Sequence, residues 1–253
     1  MLTDQEKKKY NARAKREYGN RPKLTCWGES IAEVEAREKR RAEYEENMKR
    51  DIAETINLAV LSKTIAETPF YFIHANYFYA KEDADTTLHY VPAEMAICEF
   101  SMSAGCKRFY HQIIKIDVEL GYARETMEHA EQTHKLPPDY AGGEKDYKVI
   151  LRKFQEFLEP ERIRTGKMPP VYSSRKHKPV VNDFLERLAK TASAPDWTGH
   201  QEVPNLYTLE ILFGKLMVAS NAELMMYLCN PTILAECELD KGAFAYTPNI
   251  ECT

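Results

Sequence analysis

Glu94 stands inside YVPAEMAICEFSMSAG (residues 90–105), where Val91, Ala93, Met95 and Ile97 alternate with Glu94, Ala96, Cys98 and Phe100. A period of two residues is that of a β-strand, and it puts this carboxylate on a face shared with apolar neighbours. So placed, Glu94 needs a partner: a catalytic metal, a structural metal, a basic side chain or water. A second pattern lies upstream in YFIHANY, where His74 and Asn76 share one strand face. Neither is anionic, and hard divalent ions bind neutral imidazole and amide poorly, so both read best as hydrogen-bonded strand residues. In HAEQTHKLPPDY (129–140), His134-Lys135-Leu136-Pro137 suits either a loop that meets the end of a nucleic acid or a surface turn at Pro137-Pro138. Lys107-Arg108 could contact phosphate or be solvated turn charges. His111, His134 and Lys135 are the candidates for acid–base chemistry without metal, with no ranking among them. The phosphate-loop, dinucleotide, nucleophile-elbow and zinc-protease patterns do not occur.

Several elements must position these residues. The chain has 253 residues, 43% of them hydrophobic, enough for one substantial domain with an appendage. No run approaches eighteen apolar residues, and the N-terminus MLTDQEKKKY has no apolar core, so neither membrane insertion nor secretion is predicted and a reducing compartment is expected. The six cysteines form no C-x-x-C pair and are expected to act mostly as small buried hydrophobes. Net charge is −4, yet residues 7–24 carry eight Lys or Arg against one Glu, the clearest local basic patch.

Thr3 and Glu6 have capping-box spacing and predict a short basic helix running towards Gly19; Ser30 and Glu33 open a long charged helix from about Ile31 to Val60. Its apolar marks, Met48, Ile52, Ile56 and Ala59, thicken late, so the first half reads as a solvated spacer and the second as docked. FYFIHANYF, AEMAICEFS and KRFYHQIIK read as three antiparallel strands, with a turn near Gly105. An irregular stretch to Gly143 follows, then helix DYKVILRKFQEFL, strand PPVYSS, helix VVNDFLERLAKTA, a polar loop and helix TLEILFGKLMVA. Residues 221–253 are not assigned. This order predicts an α/β (α+β) mixed sheet flanked by helices, as in ribonuclease-H-like folds. Exonucleases of that fold place an Asp-x-Glu pair on the first strand to hold two Mg²⁺ ions. His74 and Asn76 occupy that slot here, so metal-dependent exonuclease activity is not expected.

LTCWGESIAEVEAREKRRAEYEENMKRDIAETI, YVPAEMAICEFSMSAG, QTHKLPPDY, PPVYSS and NIECT resemble, in order and spacing, the maelstrom family of animal germ cells, and its insect members in particular. Pro92-Ala93-Glu94 and Thr133 to Pro137 are the most specific parts. The resemblance implies an end piece of a high-mobility-group box over 1–24, a charged linker helix over 25–68 and a ribonuclease-H-like maelstrom domain over 69–253. It implies a role in transposon silencing by PIWI-interacting RNAs (piRNAs) in germ cells, in perinuclear nuage and the nucleus. The implied partners are single-stranded RNA and proteins of that pathway, and some members are credited with metal-independent cleavage of such RNA. The family also carries a zinc site of Glu, Cys, His and Cys. Glu94 matches its Glu and Cys252 its first Cys; the chain stops at Thr253, so weak zinc binding or none is expected. Because the box is incomplete, DNA binding is not expected. Three readings follow: a silencing component that binds single-stranded RNA or proteins, a metal-independent RNA endonuclease through His134, Lys135 or His111, and a protein scaffold built on helix 31–60.

Overall fold

The computed structural model describes residues 3–19, 23–26, 28–83, 87–220 and 230–240. Two compact units divide the chain at Asp51 and Ile52. The first holds α1 (Asp4–Gly19) and the start of α2 (Ile31–Leu61). Thr3 caps α1 as its spacing predicts: its backbone N–H and its hydroxyl both donate to Glu6 Oε2, at 2.8 and 2.7 Å. The early part of α2 is exposed and laced with ion pairs one turn apart, among them Lys39–Glu43 and Arg41–Glu45. Later the apolar residues Ile52, Ile56 and Ala59 are buried, at the one-turn spacing of a helix stripe.

In the second unit, β1 (Phe70–Glu82), β2 (Leu88–Ser101) and β3 (Gly105–Ile113) form an antiparallel meander. Gly105 takes φ +67° where the chain turns into β3, a conformation that favours glycine. Next come α3 (Ala123–Gln132), α4 (Tyr147–Thr165), β4 (Val171–Ser173), α5 (Lys178–Ala192), β5 (Leu206–Thr208), α6 (Leu209–Ser220) and α7 (Pro231–Asp240). β4 runs parallel to β1, and β5 parallel to β4, giving one mixed five-stranded sheet of order β3-β2-β1-β4-β5. This is the ribonuclease-H-like arrangement that the element order predicts.

One face of the sheet carries the main core. Tyr71, Ile73 and Ala75 of β1 and Met95 and Ile97 of β2 pack with Ile150, Leu151, Phe154 and Leu158 of α4 and Val181, Phe184 and Leu188 of α5. Each large side chain buried here contributes roughly 1.5–3 kcal/mol. Asp146 caps α4 by accepting from the Lys148 N–H, and Gly166 ends it at φ 77°.

Two elements differ from expectation. The stretch expected to be irregular before Gly143 contains α3, whose buried residues are the small Thr126 and Ala130, so no stripe of large apolar side chains marks it. The expected polar loop contains β5, three residues long, too short to set a period. NAELMMYLC (221–229) lies outside the described residues.

Candidate functional site

The even-numbered residues of β1 and β2 up to Asn76 and from Glu94 point to the second face of the sheet. Antiparallel register sets Asn76 opposite Glu94 and His74 opposite Ala96, and Ala96 in turn opposite His111 of β3. Glu94 is thereby flanked on both sides. Asn76 Nδ2 donates to Oε1 at 2.7 Å and His111 Nε2 lies 2.7 Å from Oε2. A carboxylate oxygen only accepts, so His111 carries its proton on Nε2. The Asn76 amide, having turned its NH₂ to Glu94, presents Oδ1 to His74 Nε2 at 3.2 Å, which makes His74 the donor there. The hydrogen bonds all run towards Glu94. Its partners are an amide and an imidazole, and its side chain keeps 14% exposure.

His74 meets His177 edge to face, ring centroids 4.5 Å apart, and His177 Nδ1 lies 2.9 Å from Ser174 Oγ. Burial holds His74 below the ordinary imidazole value, against the opposing pull of Asn76 and Glu94. His177 is pushed down to about 4, first by burial and then by His74 and Lys176. Both rings are therefore neutral at pH 7. They sit where β4 gives way to the loop Ser174-Arg175-Lys176-His177, at the carboxyl edge that β4 shares with β5; open α/β sheets bind their ligands at such edges. The loop is pinned by the Arg175 N–H, which donates to the buried Glu210 at 2.8 Å, while Lys178 Nζ reaches Thr208 Oγ1 at 3.2 Å. Lys176 is exposed, and the exposed Arg175 pairs with Glu236 of α7 at 2.5 Å, an ion pair that a phosphate would replace.

Residues 83–253 match the family model for maelstrom, described as a piRNA pathway germ-plasm component. The chain belongs to the maelstrom family. It is 30% identical to a protein maelstrom homolog of Culex quinquefasciatus over 99% of its own length and 49% of the relative's. Against protein maelstrom 1 of Drosophila ananassae the identity is 28%, over 99% of this chain and 60% of the relative. Protein maelstrom of Drosophila yakuba is 34% identical over 62% of the chain. The chain thus spans about half the length of the curated relatives it matches. Glu94, His111, His134 and His177 lie within the segment that matches the maelstrom model, whereas His74 and Asn76 precede it.

The fold gathers some of the sequence-predicted residues and separates others. In the maelstrom domain His134 spends both ring nitrogens on backbone: Nε2 on Tyr77 O at 3.1 Å and Nδ1 on the Leu136 N–H at 3.1 Å. It clamps the loop after α3 onto β1, near enough to Glu94 to feel its charge, although burial dominates and lowers its pKa. Lys135, next to it, is exposed and takes φ +57°. Lys107 and Arg108 lie on the other face: Arg108 stands opposite Glu99 by plain alternation, and the register shift between Glu99 and Phe100 leaves Lys107 as the extra residue beside it. Arg108 donates to Glu99 at 2.6 Å and to Phe157 O at 2.8 Å, and lies 4.5 Å from the Phe157 ring; Lys107 lines an open pocket with Tyr71, Glu99 and Arg164. Cys252 is outside the described residues, among which no group of three His, Cys, Asp or Glu is arranged to hold a metal. Asn76 and His111 each occupy one lone pair of a different Glu94 oxygen, so a zinc ion there would use one of the lone pairs that remain. Sequence reasoning missed His177 and the basic loop. The run Arg175-Lys176-His177-Lys178 was the available signal, but nothing local ties it to His74, about a hundred residues away.

Proposed function

We propose that this chain supplies the germ-plasm piRNA machinery with a single-stranded RNA-binding element. RNA lies across the carboxyl edge of β4 and β5, with Arg175 and Lys176 on phosphates and the neutral imidazoles of His74 and His177 as hydrogen-bonding groups beside them. The observation that carries this reading is the pairing of an exposed basic loop with a histidine band where metal-dependent relatives of the fold cluster acids. Pathway proteins are its further partners, in nuage and in the nucleus. Binding of a labelled single-stranded RNA, titrated at several salt concentrations, tests it. The intact chain binds with a steep inverse salt dependence, and Arg175→Ala with Lys176→Ala weakens binding about tenfold and flattens the slope. Binding unchanged by that double substitution rejects the reading.

The contact between His74 and His177 favours a second reading, cleavage of the bound RNA without metal, in which a neutral imidazole accepts the proton of the attacking 2′-hydroxyl and water protonates the leaving oxygen. Cleavage measured in EDTA that survives His134→Gln but disappears in His177→Gln supports it; no cleavage by the intact chain rejects it.

A further inference from the structure

A second chemistry lies at the far end of the hairpin. Cys98 of β2 stands opposite Phe109, and Phe100 opposite Cys106, so the two cysteines are diagonal neighbours across the strand pair. Arg108 faces Glu99 by alternation, and the register shift next to that pair makes Lys107 the extra residue, leaving Cys106 on the face of Cys98 and Phe109. Both are free thiols, Cys106 exposed and Cys98 half-buried, and Cys106 is near enough to raise the Cys98 thiol. We propose that Cys98 and Cys106 form a reversible disulfide across the β2–β3 hairpin, making this a site of oxidation by peroxides.

The two sulfurs have different parts. Burial, and then the neighbouring Cys106, push the Cys98 thiol up to about 11, so it stays protonated at neutral pH. Cys106, exposed to solvent, is the sulfur that meets the oxidant. Its thiolate attacks one peroxide oxygen; the O–O bond breaks, hydroxide leaves and takes up a proton as water, and Cys106 becomes a sulfenic acid. Cys98 loses its proton to water, the thiolate so formed attacks the Cys106 sulfur, and the S–O bond breaks as hydroxide leaves and is protonated to a second water. Two thiols are oxidised by two electrons, and one hydrogen peroxide is reduced to two waters. In a reducing compartment, exchange with a small thiol reopens the bond, so the cross-link records oxidant exposure without being a permanent brace.

The test uses the whole chain. It is treated with equimolar hydrogen peroxide, quenched, unfolded and alkylated with N-ethylmaleimide, and its intact mass and peptides are measured. The expected result is a monomer with two fewer alkylated thiols, one linked peptide pair joining Cys98 to Cys106, and full recovery of both thiols after dithiothreitol. In Cys106→Ser, Cys98 stays fully alkylated after the same treatment. Cys106 recovered as sulfinic acid, linked to any cysteine other than Cys98, joined to a second chain, or still fully alkylated overturns the proposal.

Discussion

The two faces of the sheet are built from the same three long strands and do opposite work. The core face is mostly apolar, with Tyr71, Ile73, Met95 and Ile97 pressed on α4 and α5 and the Glu99–Arg108 pair at its end. On the other, α6 lines a groove with Phe72 and Phe100, and beside it runs the band of His74, Asn76, Glu94 and His111. Alternation alone fixes which residues go to which face, so a strand can spend one set on stability and leave the other free for chemistry. The difference teaches that here stability and ligand chemistry should respond to different substitutions.

The largest effect is expected on the core face. Phe154 is fully buried against Phe184, ring centroids 6.1 Å apart, and Phe154→Ala should cost about 3–5 kcal/mol in urea unfolding. RNA affinity of the remaining folded protein should hold; a parallel loss would break the division between faces. Next comes Glu94→Ala, which takes the acceptor from both Asn76 and His111 and should cost about 1–3 kcal/mol. Glu94→Gln, which keeps one acceptor oxygen, should cost less, and equal losses would show that charge outweighs hydrogen bonding at this position.

A smaller effect is set by pH. His74 and His177 bind protons less readily folded than unfolded, so their effect is absent above the ordinary value of 6.5. As pH falls from there towards about 4, the unfolded chain takes up protons that the folded chain refuses, and stability drops. Discounted for solvent screening of the half-exposed His177, the loss between pH 7 and 5 should be about 1 kcal/mol. A double variant, His74→Gln with His177→Gln, should flatten that part of the profile. The smallest change in stability, within about 0.5 kcal/mol, is expected for Lys176→Ala. Its RNA affinity should nevertheless fall several-fold, which would sharpen the contrast between the faces.

Large side chains made most of the fold legible. β1, β2 and β3 follow from strict alternation, and α4 from Ile150, Phe154, Phe157 and Leu158 at helical spacing, all four buried. α3 was hidden because Thr126 and Ala130 are too small to register as a stripe, and β5 because three residues set no period. Within the site, Glu94 stood out as a carboxylate in an apolar strand. Its partners did not, since register decides them: Asn76 lies 18 residues before it and His111 17 after, and the register of β1 on β2 shifts just beyond Asn76. Lys107 and Arg108 looked like phosphate contacts because sequence shows neither the pairing that sets Arg108 opposite Glu99 nor the shift at Lys107.

The proposed RNA site is a ribonuclease-H-like edge that offers histidines and basic side chains in place of clustered carboxylates. Its most direct test is to follow a labelled single-stranded RNA with the intact chain in EDTA and again in Mg²⁺ or Mn²⁺. The prediction is equal affinity in both and no trimming from either end. Progressive end-on degradation that starts only with the divalent ion and stops with chelator would contradict it.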